Sequence, residues 1–131
     1  MVIAYASMTG NVQRFIDRLD CFDYKRKVNN DLYINRPYIL ITYTINFGQV
    51  PAEVKEFLSN PVNRKNLVGV VGSGNRNWGV NFCRGAKTIA QSYNVPLLHT
   101  FEMSGLNEDV EIVKREVQKL EERMFLSAKV D

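Results

Sequence analysis

Leu67-Val68-Gly69-Val70-Val71-Gly72-Ser73-Gly74-Asn75-Arg76-Asn77-Trp78-Gly79 is the stretch on which the reading of this chain turns. Its first five residues are apolar or small and do not alternate with polar ones, the pattern of a strand buried on both faces in a parallel sheet. A loop with glycines at 72, 74 and 79 follows at once. Those glycines leave the backbone free to adopt φ > 0 and to present its N–H groups to something flat or anionic. Trp78, the single tryptophan, sits in this loop rather than in an apolar run. Taken alone, the loop reads equally well as a strand-to-helix turn with a tryptophan packed on its edge. Two similar loops elsewhere in the chain favour a ligand.

The first of these follows an apolar strand from Val2 to Ala6 and reads Ser7-Met8-Thr9-Gly10-Asn11. Val12, Phe15, Ile16 and Leu19 then recur at i, i+3, i+4 and i+7, one face of a helix. Hydroxyls and free N–H groups at a helix start suit a phosphate, although Ser, Thr and Asn there are also ordinary caps. The second loop, Thr44-Ile45-Asn46-Phe47-Gly48-Gln49-Val50, follows the β-branched and aromatic strand Tyr38 to Tyr43. Pro51 opens the next helix, with Val54, Phe57 and Leu58 on its buried face, and Asn60-Pro61 is expected to stop it.

Beyond the glycine-rich loop, Phe82, Cys83, Ala86, Ile89, Ala90 and Tyr93 predict a helix ended by Asn94 and Pro96. Leu97 to Phe101 is the last strand, and His99 within it reads as a core or edge residue. Asn107 is expected to cap a final helix whose stripe is Val110, Val113, Val117, Leu120 and Met124. Between Cys21 and Arg36 the chain is polar, with one short strand expected from Tyr24 to Val28.

Composition narrows the function classes. At 131 residues, 45% apolar and 24% charged, the chain is expected to form one globular domain over 1–131, able to bury a core without disulfides or metals. Neither an apolar run of about 18 residues nor a basic region before the N-terminal apolar stretch is present, which predicts a cytoplasmic protein without membrane insertion. Cys21 and Cys83 are far apart and outside any C-x-x-C, so both read as reduced bystanders. A net charge of +3 without a basic, aromatic-interleaved stripe argues against nucleic acid. Lys25-Arg26-Lys27 reads as a solvated edge strand.

Alternating strands and helices with short connections require a parallel sheet with right-handed crossovers and helices on both faces. Five strands and four helices fit a doubly wound α/β sheet in the order 2-1-3-4-5, a three-layer sandwich whose ligands bind beyond the carboxyl ends of the strands. The loops after strands 1, 3 and 4 all emerge on that edge. One suits a phosphate, and the other two offer amides, asparagines, Phe47 and Trp78 to a flat ring. A flavin mononucleotide has that anatomy.

Ser7-Met8-Thr9-Gly10-Asn11 resembles the flavodoxin phosphate loop. Thr42-Tyr43-Thr44-Ile45-Asn46-Phe47-Gly48-Gln49-Val50-Pro51, Gly74-Asn75-Arg76-Asn77-Trp78-Gly79 and Phe101-Glu102-Met103-Ser104-Gly105 resemble the NrdI family, the ribonucleotide reductase stimulatory flavoproteins, over nearly the whole chain. Two residues depart from that pattern: Met8 stands where a polar residue is common, and Leu106 where Thr is frequent. The resemblance implies a flavodoxin-like fold and FMN. It also implies an oxidant, superoxide or peroxide, made by reducing O2 and supplied to the dimanganese-tyrosyl radical site of the class Ib ribonucleotide reductase small subunit. A flavodoxin- or pyridine-nucleotide-linked reductant would feed the flavin.

Carried over residue by residue, Ser7, Thr9, Gly10, Asn11 and Val12 hold the phosphate. Thr44, Asn46, Phe47 and Gly48 line one side of the ring, and Gly74, Asn75, Asn77, Trp78 and Gly79 the other. Arg76 is expected near the flavin, and Gly48 is the candidate for a peptide that reorients when the flavin gains a proton. The residues themselves agree on the division of labour: with no Ser-His-Asp or Cys-His arrangement, no paired acids and no metal-ligand spacing, the cofactor must carry the chemistry. A receiver domain would need an acidic pair after strand 1, an Asp ending strand 3 and a Lys ending strand 5, where Ser7 and Met8, Tyr43 and Glu102 stand instead. A dinucleotide site would need G-x-G-x-x-G, but after Gly72-Ser73-Gly74 the next glycine, Gly79, comes two positions late. A general electron-transfer flavodoxin and a cofactor-free interaction domain are the alternatives.

Overall fold

A computed structural model describes residues 1–22 and 24–130; Asp23 and Asp131, both inside the expected 1–131 domain, lie outside the described residues. Strands β1 (Val2–Tyr5), β2 (Lys25–Lys27), β3 (Tyr38–Tyr43), β4 (Leu67–Gly74) and β5 (Leu97–Glu102) form one parallel sheet in the order 2-1-3-4-5. The intervening helices are α1 (Asn11–Asp17), α2 (Ala52–Ser59), α3 (Pro61–Asn66), α4 (Arg84–Ser92) and α5 (Asn107–Val130). Among the described residues no helix is long and apolar enough to cross a membrane.

The central strands are apolar without alternation because both of their faces are covered. Ile3 pairs in register with Ile39, and Ile41 with Val71; these side chains pack against Val12, Phe15 and Ile16 of α1 and Val110, Val113 and Val117 of α5. Their neighbours Ala4, Leu40 and Val70 point the other way, onto Val54, Phe57 and Leu58 of α2 and Ala86 and Ile89 of α4. Each large aliphatic side chain so buried contributes roughly 1.5–3 kcal/mol. Phe15 and Phe101 stack at 4.0 Å between ring centres, joining α1 to the end of β5 just below the carboxyl edge.

Three local features differ from expectation. Asn60-Pro61 ends α2, but it also starts α3, because Pro61 lies at the first turn and the Asn60 side chain accepts from the Val62 N–H at 2.9 Å. Phe82 and Cys83 are not inside α4: Cys83 precedes the helix in the left-handed region at φ 53°, and Gly85, Ala86, Ile89 and partly buried Ala90 form the helical face, with Tyr93 just past its end. Asn107 begins α5 without capping it. Its side chain takes a bond from Arg18, while Asp109 Oδ2 accepts the Leu106 N–H at 2.7 Å, so the acid three residues on does the capping.

β2 is the edge strand its charge suggested, with Arg26 and Lys27 exposed. Lys25 has a further role, donating from Nζ to the carbonyls of Ile16 and Leu19 at the end of α1, each at 3.3 Å. His99 sits half-buried on β5, with Nε2 2.8 Å from Asp109 Oδ1.

Candidate functional site

The carboxyl ends of β1, β3, β4 and β5 open into a cavity of about 270 Å³. Each wall is shaped by a short loop whose hydrogen bonds stay within this edge. After β1, Ser7 Oγ accepts the Gln13 N–H at 3.2 Å, and Thr9 Oγ1 accepts from Asn11 Nδ2 at 3.3 Å. Both hydroxyl hydrogens remain available as donors. Among the described residues no protein acceptor takes the N–H groups of Met8, Thr9 or Gly10. A concave loop of unspent donors is what an anion requires.

After β3, Thr44 is buried and its Oγ1 accepts the Gly85 N–H at 2.9 Å, tying the loop to the start of α4. Ile45 and Gln49 exchange two backbone bonds of 3.0 and 2.8 Å, which folds residues 46–48 into a tight turn. That turn needs positive φ at Asn46, 52°, and at Gly48, 94°. Gly48 is also enclosed: a Cβ there would lie 2.6 Å from Arg84 Cδ. Phe47 stands at the tip, 85% exposed.

After β4 the chain makes a 3₁₀ turn, Arg76–Asn81, begun by Asn75, whose Oδ1 accepts the Asn77 N–H at 2.9 Å. Of the glycines expected to free this loop, only Gly79 has positive φ, 55°. Gly72 and Gly74 belong to β4 and are needed for room instead; a Cβ on Gly74 would fall 2.9 Å from the backbone nitrogen of Cys83. Trp78, 41% exposed, is turned onto the cavity. Arg76 points away from it, with Nε 3.9 Å from Glu102 Oε1 and its guanidinium 4.9 Å from the Phe82 ring centre.

Of the residues singled out in the sequence, Ser7, Thr9, Asn11, Val12, Thr44, Gly74, Asn75 and Trp78 line this cavity together. Gly10, Asn46, Phe47, Gly48, Asn77 and Gly79 shape the loops without lining it. Met8, Tyr43, Ser73 and Met103 are lining residues that the sequence reading did not assign to binding. Tyr43, Ser73 and Met103 stand at or just beyond strand ends, which the rule placing ligands beyond the carboxyl ends of strands would have found. Ser73 Oγ donates to the Met103 carbonyl at 2.6 Å and Met103 N–H to the Gly74 carbonyl at 2.8 Å, so the β5–α5 turn closes the far wall.

Burial, and then the hydrogen bond to Glu53, push the Tyr43 phenol well above its usual range, so it stays a neutral donor. The arrangement has anion donors at one end and aromatic and thioether groups along the walls, and among the described residues no His, Cys, Lys or carboxylate lines it. It suits a planar ring with an anionic tail.

The comparisons with known proteins bear on family and fold. A family model described as NrdI flavodoxin-like matches residues 3–115. A Protein NrdI of Bacillus licheniformis is 46% identical over 129 residues, covering 98% of this chain and 95% of the relative. The solved structure of a short-chain flavodoxin associated with a non-canonical PDU bacterial microcompartment superposes with a TM-score of 0.70 over 94% of this chain and 99% of its own, at 18% identity, a likeness of fold alone. On the family match and the identity to the Bacillus licheniformis protein, this chain belongs to the NrdI flavodoxin-like family.

Proposed function

We propose that the chain is a cytoplasmic FMN flavoprotein that reduces O2 to superoxide or peroxide for assembly of the dimanganese-tyrosyl radical cofactor of the class Ib ribonucleotide reductase small subunit. The observation that carries this reading is the loop of unspent N–H and hydroxyl donors at Ser7–Gly10, set beside a cavity walled by Tyr43, Trp78 and Met103. Ser7, Thr9, Gly10, Asn11 and Val12 hold the phosphate. Thr44, Asn46, Phe47 and Gly48 take one side of the ring, and Gly74, Asn75, Asn77, Trp78 and Gly79 the other. Bound FMN supplies the electrons for O2 reduction. The chain's own residues position the ring, limit water and supply a Phe47–Gly48 peptide that glycine leaves free to reorient.

The partner docks over the carboxyl edge. Exposed Met8, Phe47, Trp78, Val80, Met103 and Leu106 all belong to its loops. Aromatic anchors with few charges are what binding hot spots use. A general flavodoxin would instead surround its ring with acids to meet basic redox partners. The loops after β3 and β4 contain none, and Glu102, which reaches this rim from β5, has Arg76 beside it.

Mixing the reduced protein, O2 and the manganese-loaded small subunit tests the proposal, with tyrosyl radical formation as the readout. If no radical forms while the protein readily passes electrons to unrelated acceptors, the electron-shuttle function takes its place. Absorbance near about 450 nm in the purified protein, expected of any bound flavin, separates both from an interaction domain without a cofactor.

A further inference from the structure

Arg14 lies on α1 but is held against the loop after β1. Its Nη2 donates to Asn11 Oδ1 at 2.7 Å and its Nε to Ser104 Oγ at 3.0 Å. Ser104 Oγ in turn donates to Asn11 Oδ1 at 2.8 Å, closing a triangle between the two loops. Nη1 is seated directly against Gly10, where an added Cβ would approach it to 2.8 Å. One turn further on, Arg18 donates to the carbonyls of Ser104 and Gly105 and to Asn107 Oδ1.

All of these acceptors are neutral. Among the described residues, neither guanidinium has a carboxylate in ion-pair range. A guanidinium fixed by neutral acceptors keeps its whole charge for any anion that approaches, and Arg14 has donors left over. The neighbouring loop needs that charge. α1 has only seven residues, and at its start the Ser7 hydroxyl takes only the Gln13 N–H. So short a helix contributes little macrodipole, and hydroxyls and amides alone would have to balance a phosphate dianion.

We propose that Arg14 is the specificity residue for the phosphate end of the cofactor, its unpaired charge under Gly10 making the chain prefer FMN to riboflavin. This rests on the FMN reading above. Arg14 acts by charge from behind the loop, while Asn11 and Ser104 hold it in place.

The test is calorimetric titration of the full chain, freed of cofactor, with FMN and with riboflavin at low and high salt. In Arg14→Gln, FMN affinity falls about three- to tenfold, its salt dependence shrinks, and riboflavin affinity stays within about twofold, as for one exposed charge. Arg14→Lys keeps the preference because it keeps the charge. Ser104→Ala removes a tether and leaves the preference near that of the parent. Arg14→Met, which retains the aliphatic stem, replaces the Gln variant should that one fail to fold.

Equal losses for both ligands or an unchanged FMN affinity in Arg14→Gln would each overturn the assignment. The two levels of the argument separate cleanly. If the parent protein binds FMN no tighter than riboflavin, the FMN reading falls with it; if the parent prefers FMN and Arg14→Gln prefers it as strongly, only the role of Arg14 falls.

Discussion

The Thr44 hydroxyl oxygen accepts the backbone N–H of Gly85 at 2.9 Å, and both residues are buried. This bond joins the loop after β3 to the first turn of α4, where helix N–H groups otherwise have no partner. Thr44 therefore serves the fold and the cavity at once. Its lone pair anchors α4, and its hydroxyl hydrogen is left for a ligand.

Thr44→Val keeps the shape and removes the acceptor, leaving the Gly85 N–H buried and unbonded. The expected cost is about 1–3 kcal/mol in urea unfolding, with a lower midpoint and an unchanged slope. Thr44→Ser should recover most of the loss. A Val variant as stable as the parent would mean that water satisfies Gly85.

Thr9 is exposed in the loop after β1, the loop proposed to hold the phosphate, so Thr9→Glu should leave stability within about 0.5 kcal/mol. A carboxylate beside the phosphate should nevertheless weaken FMN binding by at least about a hundredfold, the order of a unit-charge repulsion near a protein surface. Calorimetry and thermal unfolding, measured on the same sample, separate the two effects. Undiminished affinity in this variant would place the phosphate elsewhere.

Trp78 forms part of the cavity wall and is the single tryptophan, which gives the protein one fluorophore of this type at its site. Flavin binding should quench it. Aromatic contact adds about 0.5–1.5 kcal/mol beyond burial, so Trp78→Ala should weaken FMN by up to about tenfold. Identical emission with and without FMN would remove Trp78 from the site.

The two thiols should behave oppositely. Cys21 is exposed, whereas Cys83 is buried behind α4 and burial pushes its thiol up to about 12, partly opposed by Lys87. A thiol reagent at pH 8 should label Cys21 promptly and Cys83 only after denaturation. The sign of the linkage follows: above pH 9, the unfolded thiol ionises while the folded one does not, so stability falls as pH rises toward 12. A Cys83→Ala variant should lose the part of that slope that begins near pH 9 and keep the part above pH 10, where Tyr38 and Tyr43, both raised by burial, ionise only on unfolding.

Much of this was legible in the sequence. The unbroken apolar runs of β1, β3 and β4 could only be strands covered on both faces, and that condition placed three loops on one edge. Asn63 was not legible. Buried in the six-residue α3, it accepts the Ile34 N–H at 2.8 Å through Oδ1 and donates to Leu32 and Phe57 carbonyls, yet nothing in Pro61-Val62-Asn63-Arg64 signals a buried polar hub. Cys83 was misplaced because apolar periodicity does not register one left-handed residue between a turn and a helix. Arg14 drew no reading in the sequence: it is exposed, and its bond to Ser104 joins residues ninety positions apart that only the folded sheet brings together.

The docking surface can be separated from the cofactor site at Val80, which is 87% exposed, does not line the cavity and has no part in holding the ring, whereas Phe47, 85% exposed, belongs to both. Apolar groups so placed gain nothing in the isolated chain, whereas burying them against a partner contributes about 1–2 kcal/mol each. Val80→Ala should therefore weaken binding to the reductase small subunit by roughly five- to thirtyfold while FMN affinity and stability hold, whereas Phe47→Ala should weaken both the partner and FMN. Val80→Asp should do more, since it also brings an unpaired charge into the contact. Surface plasmon resonance with the immobilised small subunit measures all three variants, and the absorbance of bound flavin confirms that each is loaded. If all three bind as the parent does, the partner approaches by another face, and the apolar rim of the carboxyl edge is not the interface.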